Sequence, residues 1–487
     1  MRALKVPSLT MVGLLFVAIF VTAQIQLSAL YSMIFSSSSL SSWSSSSSSS
    51  DLSLRSSLSN RSATSEDQSP PEKASGKIKQ LLPESSQLST ATQISCDHSS
   101  NRYDLCNISG PTVVDSTTTT FFVMDRARSN KLKIVEKIKP YPRKFDHDMM
   151  PKIKDVTLIL GPKGPKCKVH HNVPALVFSV GGYTGNFFHD FNDGFIPLFI
   201  TINTIFPNHQ DFVIVLSEGP NWWHIKYIDL LKVFSKHPII SLNNETKTHC
   251  FPSAHIGLIS HGFMTINHTL LPNSKTYLHL HDMVHKAYGN HHNQIPPPTS
   301  LTFRPQLIFV IRKGAIGRVI VNQGEAIRVM EEVGFDVVVF EPKENTSLHE
   351  SYALVSSSHA MIGVHGAALM HSLFLQTGSV FMQIVPIGIK WAAKAFFGRV
   401  AKGLKLEYME YHIEVEESSL VEKYERDSLM LRNPSSLQKG GWPIEVMDIY
   451  LKEQNVKLDL VRFRGYLKEA YEKAYKFMYT KKKVDLP

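Results

Sequence analysis

Cysteine is scarce, with four in 487 residues, which excludes a small scaffold held together by a disulfide framework. Acidic side chains are outnumbered, 42 against 52 lysines and arginines, leaving a formal charge of +10. That balance suits a phosphorylated ligand, an anionic membrane or nucleic acid, although scattered surface lysine and the tail Lys481-Lys482-Lys483 account for much of it. No Walker sequence and no Gly-x-Gly-x-x-Gly is present, which argues against ATP hydrolysis and NAD chemistry. Only one apolar run is long enough to cross a bilayer, so a multi-span transporter is excluded. There is no internal repeat. Against these absences stands a 43% hydrophobic content, enough for sizeable cores, and a length of about three domains.

The single apolar run, Leu9–Ala23, continues more weakly to Phe35, with Arg2 and Lys5 before it and no charge after it until Asp51. A signal-anchor is expected over 9–30, leaving 1–8 as a cytoplasmic tail and the rest across the membrane. A cleaved signal peptide is the alternative. Ser36–Ser50 holds thirteen serines in fifteen positions, and polar character persists to about Ser100. Such a segment buries too little apolar surface to offset its ordering entropy, so a disordered serine-rich stalk is expected over 31–110. One anchor, a stalk and a large C-terminal body resemble a type II Golgi membrane enzyme. Sequons at Asn60, Asn107, Asn244, Asn267 and Asn345 agree with a lumenal body, although sequons also arise by chance. Cys96, Cys106, Cys167 and Cys250 form an even set without zinc-ligand spacing. Of their three possible pairings, Cys96–Cys106 with Cys167–Cys250 is favoured; four free thiols is the alternative.

From Pro111 onward, short β-rich runs alternate with helical ones. Strands are expected at Ala175–Val180, Phe212–Leu216 and His255–Ile259. Trp222, Ile225, Ile228, Leu231 and Phe234 mark the buried face of an amphipathic helix. Asn290–Pro298 ends in three prolines and sets a lobe boundary. Strands at Leu307–Ile311, Val337–Phe340, Met361–Val364 and Val380–Val385 alternate with helices at Gln323–Val333, Ser347–Ser358 and Ala367–Leu375. This alternation implies a parallel sheet covered on both faces. The reading is α/β: two Rossmann-like lobes facing a cleft, 111–298 and 299–430. Helices near Ser418–Arg432 and Ile444–Tyr479, the latter within 431–487, are expected to pack back across both lobes.

Three segments carry chemistry. In Ile362–Leu369 an apolar strand ends at His365, Gly366 and Ala367 follow, and a helix opens, a place where free N–H groups can meet a pyrophosphate. Ordinary strand–helix packing is the alternative. Arg312 and Lys313 end the preceding strand, with Arg318 and Asn322 after them; these cations can meet a diphosphate or can be a solvated loop. In Gly182–Phe199, His189 and Asp193 share one helical face, and Asp190 is three residues from Asp193. A carboxylate beside an imidazole can take a proton from a hydroxyl; a helix cap plus a core histidine is the alternative. Asp146-His147-Asp148 matches Asp-x-Asp formally but has no strand before it and is read as chance. Histidines 281, 285, 291 and 292 lack metal-ligand spacing and read as surface residues.

At these segments the chain resembles plant members of glycosyltransferase family 61. The similarity runs from about Pro111 to Thr480. It rests on Gly185-Asn-Phe-Phe-His-Asp-Phe-Asn-Asp-Gly194 with Ile196–Phe199, on Arg312, Arg318, Asn322 and Glu325, on Gly363–Ala367, on Gln383 and Pro386, and on Tyr411 and Glu417–Leu420 with Tyr424. The spacing Asn186, His189, Asp193 is also similar to animal relatives that glycosylate protein-linked acceptors, and it singles out His189 and Asp193 over Asp190. The resemblance implies a GT-B-type fold and inverting transfer from a UDP-sugar in the Golgi, without a metal or other cofactor. It further implies a xylan-type acceptor and a pentose, xylose or arabinofuranose. Asp193 aided by His189 is then the base, Asn186 and Asp190 lie on the acceptor side, and Arg312, Lys313, Arg318, Asn322, His365, Gly366 and Ala367 bind the donor. Partners are the donor, the acceptor, the membrane and a Golgi transferase complex; nucleic acid fits the charge but not the anchor. Met370-His371 departs from the family pattern and motivates a rival, a catalytically silent Golgi lectin or scaffold. Transfer to protein-linked glycans is another.

Overall fold

The computed structural model of the chain describes residues 93–124, 133–207, 211–289, 304–314, 317–438 and 443–484. The apolar run, most of the serine-rich segment, Asn60, the proline-rich boundary and histidines 291 and 292 lie outside the described residues. All described residues belong to one compact unit, Gln68–Pro487. Among them no helix is long and apolar enough to cross a membrane.

Folding begins earlier than composition suggests. Strands β1 (Gln93–Asp97) and β2 (Leu105–Asp115) lie mostly within the range expected to be stalk. Their segment is polar overall, which masks a period of two that buries Cys106 and Ile108. A disulfide joins Cys96 to Cys106 directly across the β1–β2 register. Eight more strands complete a mixed sheet: β3 (Thr120–Met124), β4 (Lys133–Ile138), β5 (Val156–Gly161), β6 (Val169–His170), β7 (Ala175–Phe178), β8 (Val213–Leu216), β9 (Ile240–Ser241) and β10 (Thr248–Ile256). Its main order is β4-β5-β3-β2-β10-β7-β8-β9. The β10-β7-β8-β9 half is parallel, while β2 runs antiparallel to β10. The first lobe is therefore only half Rossmann-like, with a largely antiparallel flank. A second disulfide ties Cys167 to Cys250 on β10. That strand starts seven residues before the expected His255, because Thr248, His249 and Ser253 dilute its apolar alternation.

Strand β7 feeds a helix in three continuous pieces, Phe187–His189, Asp190–Phe195 and Ile196–Ile205, taken together as α1. The middle piece is a π turn: the N–H of Ile196 donates to Phe191 O, five residues back. Such turns insert one extra residue and often mark functional sites. Helix α2 (Asn221–Lys226) and helix α3 (Ile228–Phe234) replace the single helix expected there. The break at Tyr227 shifts the phase, so Trp223 is buried while Trp222 and Ile225 face outward. Helix α4 (Tyr277–Tyr288) closes this half, with His281 half-buried rather than on the surface.

The second sheet contains β11 (Gln306–Val310), β12 (Asp336–Phe340), β13 (Ala360–Val364), β14 (Val380–Val385) and β15 (Glu407–His412). All neighbours are parallel, in the order β12-β11-β13-β14-β15. This is a doubly wound order, and its direction reverses between β11 and β13. Both strands are buried along their whole length under helices such as α5 (Gln323–Val333) and α6 (Leu348–Ser356). The segment Ala367–Phe374 after β13 is a 3₁₀ helix, and α7 runs through Lys390–Ala393, Lys394–Gly398 and Arg399–Gly403 with its own π turn.

The C-terminal helices differ from expectation. Ser418–Arg432 forms only short turns, Ser419–Glu422 and Leu429–Arg432. The helical run from Ile444 is interrupted over 454–459, where Val456 bridges to Ile320 and Ser418. Helix α8 (Leu460–Val484) then buries Phe463, Leu467, Ala470 and Ala474 against the second sheet's own core, with Leu307, Phe309 and Met382, rather than across both sheets. What joins the two sheets near β7 and β13 is aromatic: Phe187 stacks on His371 at 4.3 Å and Phe188 lies 4.9 Å from Phe396.

His371 is sealed at this joint, its Nδ1–H donating to Ala368 O at 2.8 Å. Burial lowers its pKa to about 4, and burial together with Arg318 lowers that of His365 to about 3. Both are thus neutral in the fold, whereas an unfolded histidine takes a proton near pH 6.5. Acidification feeds protons to the unfolded chain alone, so this stability is present above pH 6.5 and is lost as pH falls towards 4. The cost is about 1 kcal/mol per histidine one pH unit below 6.5. The melting temperature should therefore drop between pH 7 and pH 5 in a thermal melt followed by circular dichroism; an unchanged value contradicts the burial of these two rings.

Candidate active site

The site starts at the carboxyl end of β7. Gly182 has φ +66, and a Cβ there would lie 2.6 Å from Cζ of Tyr141, so the turn and the close ring both require glycine. Asn186 caps α1, its Oδ1 accepting from the Phe188 N–H at 3.1 Å. One turn later His189 Nδ1 lies 2.7 Å from Asp193 Oδ2. Asp193 sits on the π turn with its side chain 3% exposed. Tyr141 OH donates to its Oδ2 at 3.0 Å, Asn192 Nδ2 to its Oδ1 at 2.6 Å, and Arg143 Nη1 to its Oδ1 at 3.4 Å. Burial alone would raise its pKa, but the hydrogen bond from His189 and the charge of Arg143 outweigh burial and hold it below the usual carboxylate range.

An ionised Asp193 makes His189 Nδ1 the donor of that contact. The Nε2 lone pair of His189 then remains, and it makes no hydrogen bond to any described residue. His189 is the more open partner, with its side chain 18% exposed and its ring stacked on Tyr183 at 4.4 Å. In this geometry His189 is the more accessible acceptor of the pair, and Asp193, enclosed by four donors, is placed to orient it. Asp190 lines the same cavity as His189 and Asp193 but is taken up by structural bonds. It is buried, accepting from Trp223 Nε1 at 2.9 Å and Tyr227 OH at 2.8 Å. Burial raises its pKa despite those two bonds. It fastens α1 to α2 and α3, while Asn186 remains exposed.

Four further residues support the pair and were not singled out by their spacing. Arg143 donates through Nε and Nη2 to Asp146 Oδ2 at 3.0 and 2.9 Å, and Tyr183 OH donates to the same oxygen at 3.1 Å. The Arg143 guanidinium lies 4.9 Å from the Tyr183 ring centre. Asp146, discounted as part of a chance Asp-x-Asp, is thus a buttress held by arginine. Tyr141 and Arg143 lie in the irregular stretch Pro140-Tyr-Pro-Arg143, which has no period to read. Among the described residues, two groups of side chains have metal-ligand proximity, Cys96 with His98 and Glu136, and Cys167 with His170 and Cys250. Their cysteines are all in disulfides.

The opposing wall is built where the second sheet reverses. Arg312 follows β11, and His365 and Gly366 follow β13, so both flank the switch point. A Cβ on Gly366 would lie 3.0 Å from Arg312 Nη1 and 3.4 Å from Arg318 Nη1. The missing side chain lets two guanidinium groups crowd one backbone turn. Neither arginine forms an ion pair among the described residues. Burial lowers the pKa of Arg312, and burial plus its like-charged neighbour lowers that of Arg318 to about 9. Arg318 donates to His365 O at 3.0 Å and to Leu451 O at 2.9 Å. Lys313 is exposed beside them, and Ala367 begins the eight-residue 3₁₀ segment.

Two expected donor residues have other roles. Asn322 spends its side chain on backbone, donating to Leu458 O and accepting from Leu458 N–H, both at 2.9 Å. It straps the 454–459 segment. His365 is neutral and adds no positive charge. Its Nδ1–H donates to Gln383 Oε1 at 3.4 Å, Gln383 donates to Tyr408 OH at 3.1 Å, and Tyr408 donates to Glu410 at 2.7 Å. The two walls meet through α7: Phe396 contacts Phe188, and His365 lies 5.3 Å from Phe397. Of the sequons, Asn244, Asn267 and Asn345 are exposed, while Asn107 is half-buried within β2.

The Glycosyltransferase 61 family model matches residues 147–382, a span that includes His189, Asp193, Arg312, Arg318 and His365. A xylan glycosyltransferase of Arabidopsis thaliana is 38% identical over 403 residues, covering 78% of this chain and 80% of the relative. The chain belongs to glycosyltransferase family 61. It is a glycosyltransferase, and the match begins just past Tyr141, Arg143 and Asp146, so part of the support for Asp193 lies outside the matched span. Two Oryza sativa subsp. japonica proteins are also similar to this family-61 chain. An alpha-1,3-arabinosyltransferase is 35% identical over 77% of this chain and 65% of its own length, and a beta-1,2-xylosyltransferase is 32% identical over 77% and 83%.

The strap reading of Asn322 has a direct test. Asn322→Ala leaves two buried backbone groups without partners and should cost about 1–3 kcal/mol of stability. Its UDP affinity, measured by calorimetry at a temperature where it is folded, should stay near that of the unaltered chain. A large loss of affinity without a loss of stability would return Asn322 to the donor site.

Proposed function

We propose that this glycosyltransferase moves a pentose, xylose or arabinofuranose, from a UDP-sugar to a xylan-type polysaccharide, inverting the anomeric configuration. The single observation that carries the reading is the His189–Asp193 pair packed through Phe188 and Phe396 towards a turn where Arg312 and Arg318 converge with no ion-paired carboxylate among the described residues. The relatives named for xylan, arabinosyl and xylosyl transfer support the acceptor and the sugar. The two walls also agree with a GT-B-type arrangement, donor on the second sheet and acceptor on the first.

An acceptor hydroxyl approaches His189, and its proton passes to Nε2 as its oxygen bonds to the anomeric carbon. The bond from that carbon to the diphosphate oxygen breaks on the opposite face, so one displacement inverts the centre. His189 becomes cationic and is stabilised by the buried Asp193 carboxylate, which keeps its own charge. The leaving diphosphate gains negative charge, met by Arg312 and Arg318, with Lys313 and the N–H groups opening the Ala367 turn beside them. These cations do the work a divalent metal does elsewhere, so transfer should survive EDTA. Loss of activity in EDTA, restored by manganese, would favour a metal-assisted mechanism. The apolar run 9–30 and the exposed sequons support a single-pass Golgi anchor with a lumenal body, which organelle fractionation and glycosidase digestion would test.

The deciding experiment offers the full-length chain several UDP-sugars with xylo-oligosaccharides and reads the product by mass spectrometry. Addition of a pentose is expected; addition only to a glycopeptide would move the acceptor to protein, and no transfer at all would favour a silent scaffold. His189→Ala and Asp193→Asn should each lower kcat by about 10²–10⁴-fold while UDP still binds. Arg312→Ala should lower it by about 10²–10³-fold, with weaker UDP binding. A His189→Ala chain with full turnover removes His189 as the base.

A further inference from the structure

Helix α2 carries adjacent tryptophans with opposite fates. Trp223 is 1% exposed, fills the core and donates to Asp190. Trp222 is 45% exposed, so the fold does not require its indole. Single exposed apolar residues are common on protein surfaces, so the case for Trp222 rests on where it stands. Its neighbour is the loop that leads into the catalytic helix: a Cβ on Gly185 would lie 3.7 Å from Cζ2 and 3.8 Å from Cη2 of Trp222. The six-membered ring of the indole thus abuts the backbone immediately before the Asn186 cap, and His189 is one turn further on. The next turn of α2 reaches the second sheet: Lys226 Nζ donates to Glu344 O at 3.0 Å and lies 5.9 Å from the Phe187 ring centre. Trp222 therefore stands at the rim where the two walls approach, on the His189 side.

A xylopyranose ring has no exocyclic carbon, so its faces are flat and lined with C–H groups. The C–H groups carry partial positive charge and suit the negative face of an aromatic ring, while the equatorial hydroxyls stay in water. We propose that the Trp222 indole is the stacking platform that seats a xylose unit of the acceptor chain beside His189. The proposal rests on the xylan-transfer reading above and adds the residue that holds the polysaccharide.

Full-length chains carrying Trp222→Ala and Trp222→Phe would be assayed against xylobiose and xylohexaose at saturating donor. Trp222→Ala should raise KM for xylohexaose about tenfold, with kcat within about twofold. Trp222→Phe, which keeps a flat ring, should restore most of the affinity, and the penalty should shrink with xylobiose. UDP binding and a thermal melt confirm folding; Trp222→Gln gives the same reading if the alanine variant fails them. An unchanged KM in Trp222→Ala, a loss confined to kcat, or an equal loss in the phenylalanine variant overturns the platform. If the unaltered chain transfers to no xylo-oligosaccharide, the acceptor reading falls as well. If it transfers and Trp222→Ala matches it, only the platform falls.

Discussion

A carboxylate buried as deeply as Asp193 must be paired and hydrogen-bonded, or it takes up a proton. The fold meets that demand with donors from two places: Asn192 and His189 on α1 itself, and Tyr141 and Arg143 from the irregular stretch after β4. Several local features follow from it. The Gly182 turn must pass close to the Tyr141 ring, Asp146 must hold Arg143 from behind, and the π turn must deliver Asp193 towards them. The imidazole inherits the result, since an acceptor fixed on Nδ1 sets both its tautomer and its direction.

The two walls differ in sign and in how their charges are treated. On the first, negative charge is buried and fully paired. On the second, Arg312 and Arg318 share a turn without a carboxylate among the described residues; burial lowers the pKa of Arg312, and burial with its like-charged neighbour lowers that of Arg318. That like-charge strain is relieved by an anion bound between them, and an anion whose charge grows during reaction relieves it further. The C-terminal strap contributes here: Arg318, Val319 and Asn322 are all held by residues 451–458, which fixes the loop carrying one of the two cations.

The second sheet was largely legible in the sequence, because its strands are continuous apolar runs separated by helices of the right length. Gln323–Val333 and Val380–Val385 appear with the bounds their pattern indicates. The first lobe was less so. Strands β1, β2 and β10 alternate with polar residues, which hides them, although the Cys96–Cys106 and Cys167–Cys250 pairings favoured from the sequence are both present. In α2 and α3 a three-residue recurrence was mistaken for one face, since a break at Tyr227 cannot be seen in the spacing. At the site, His189 and Asp193 were legible as a pair but their roles were not. Roles depend on burial, and burial depends on Tyr141 and Arg143 some fifty residues upstream.

His365 shows how a tautomer can divide labour within such a site. It stands among the cationic residues at the turn, and its position alone invites a contact with phosphate. Yet its Nδ1–H points into the chain Gln383, Tyr408, Glu410, and its burial between Phe396, Phe397 and Arg318 keeps it neutral. A neutral imidazole that has spent its only N–H can accept a hydrogen bond at Nε2 but cannot donate one. The positive charge at the turn thus belongs to Arg312 and Arg318, while His365 is anchored through β14 and β15.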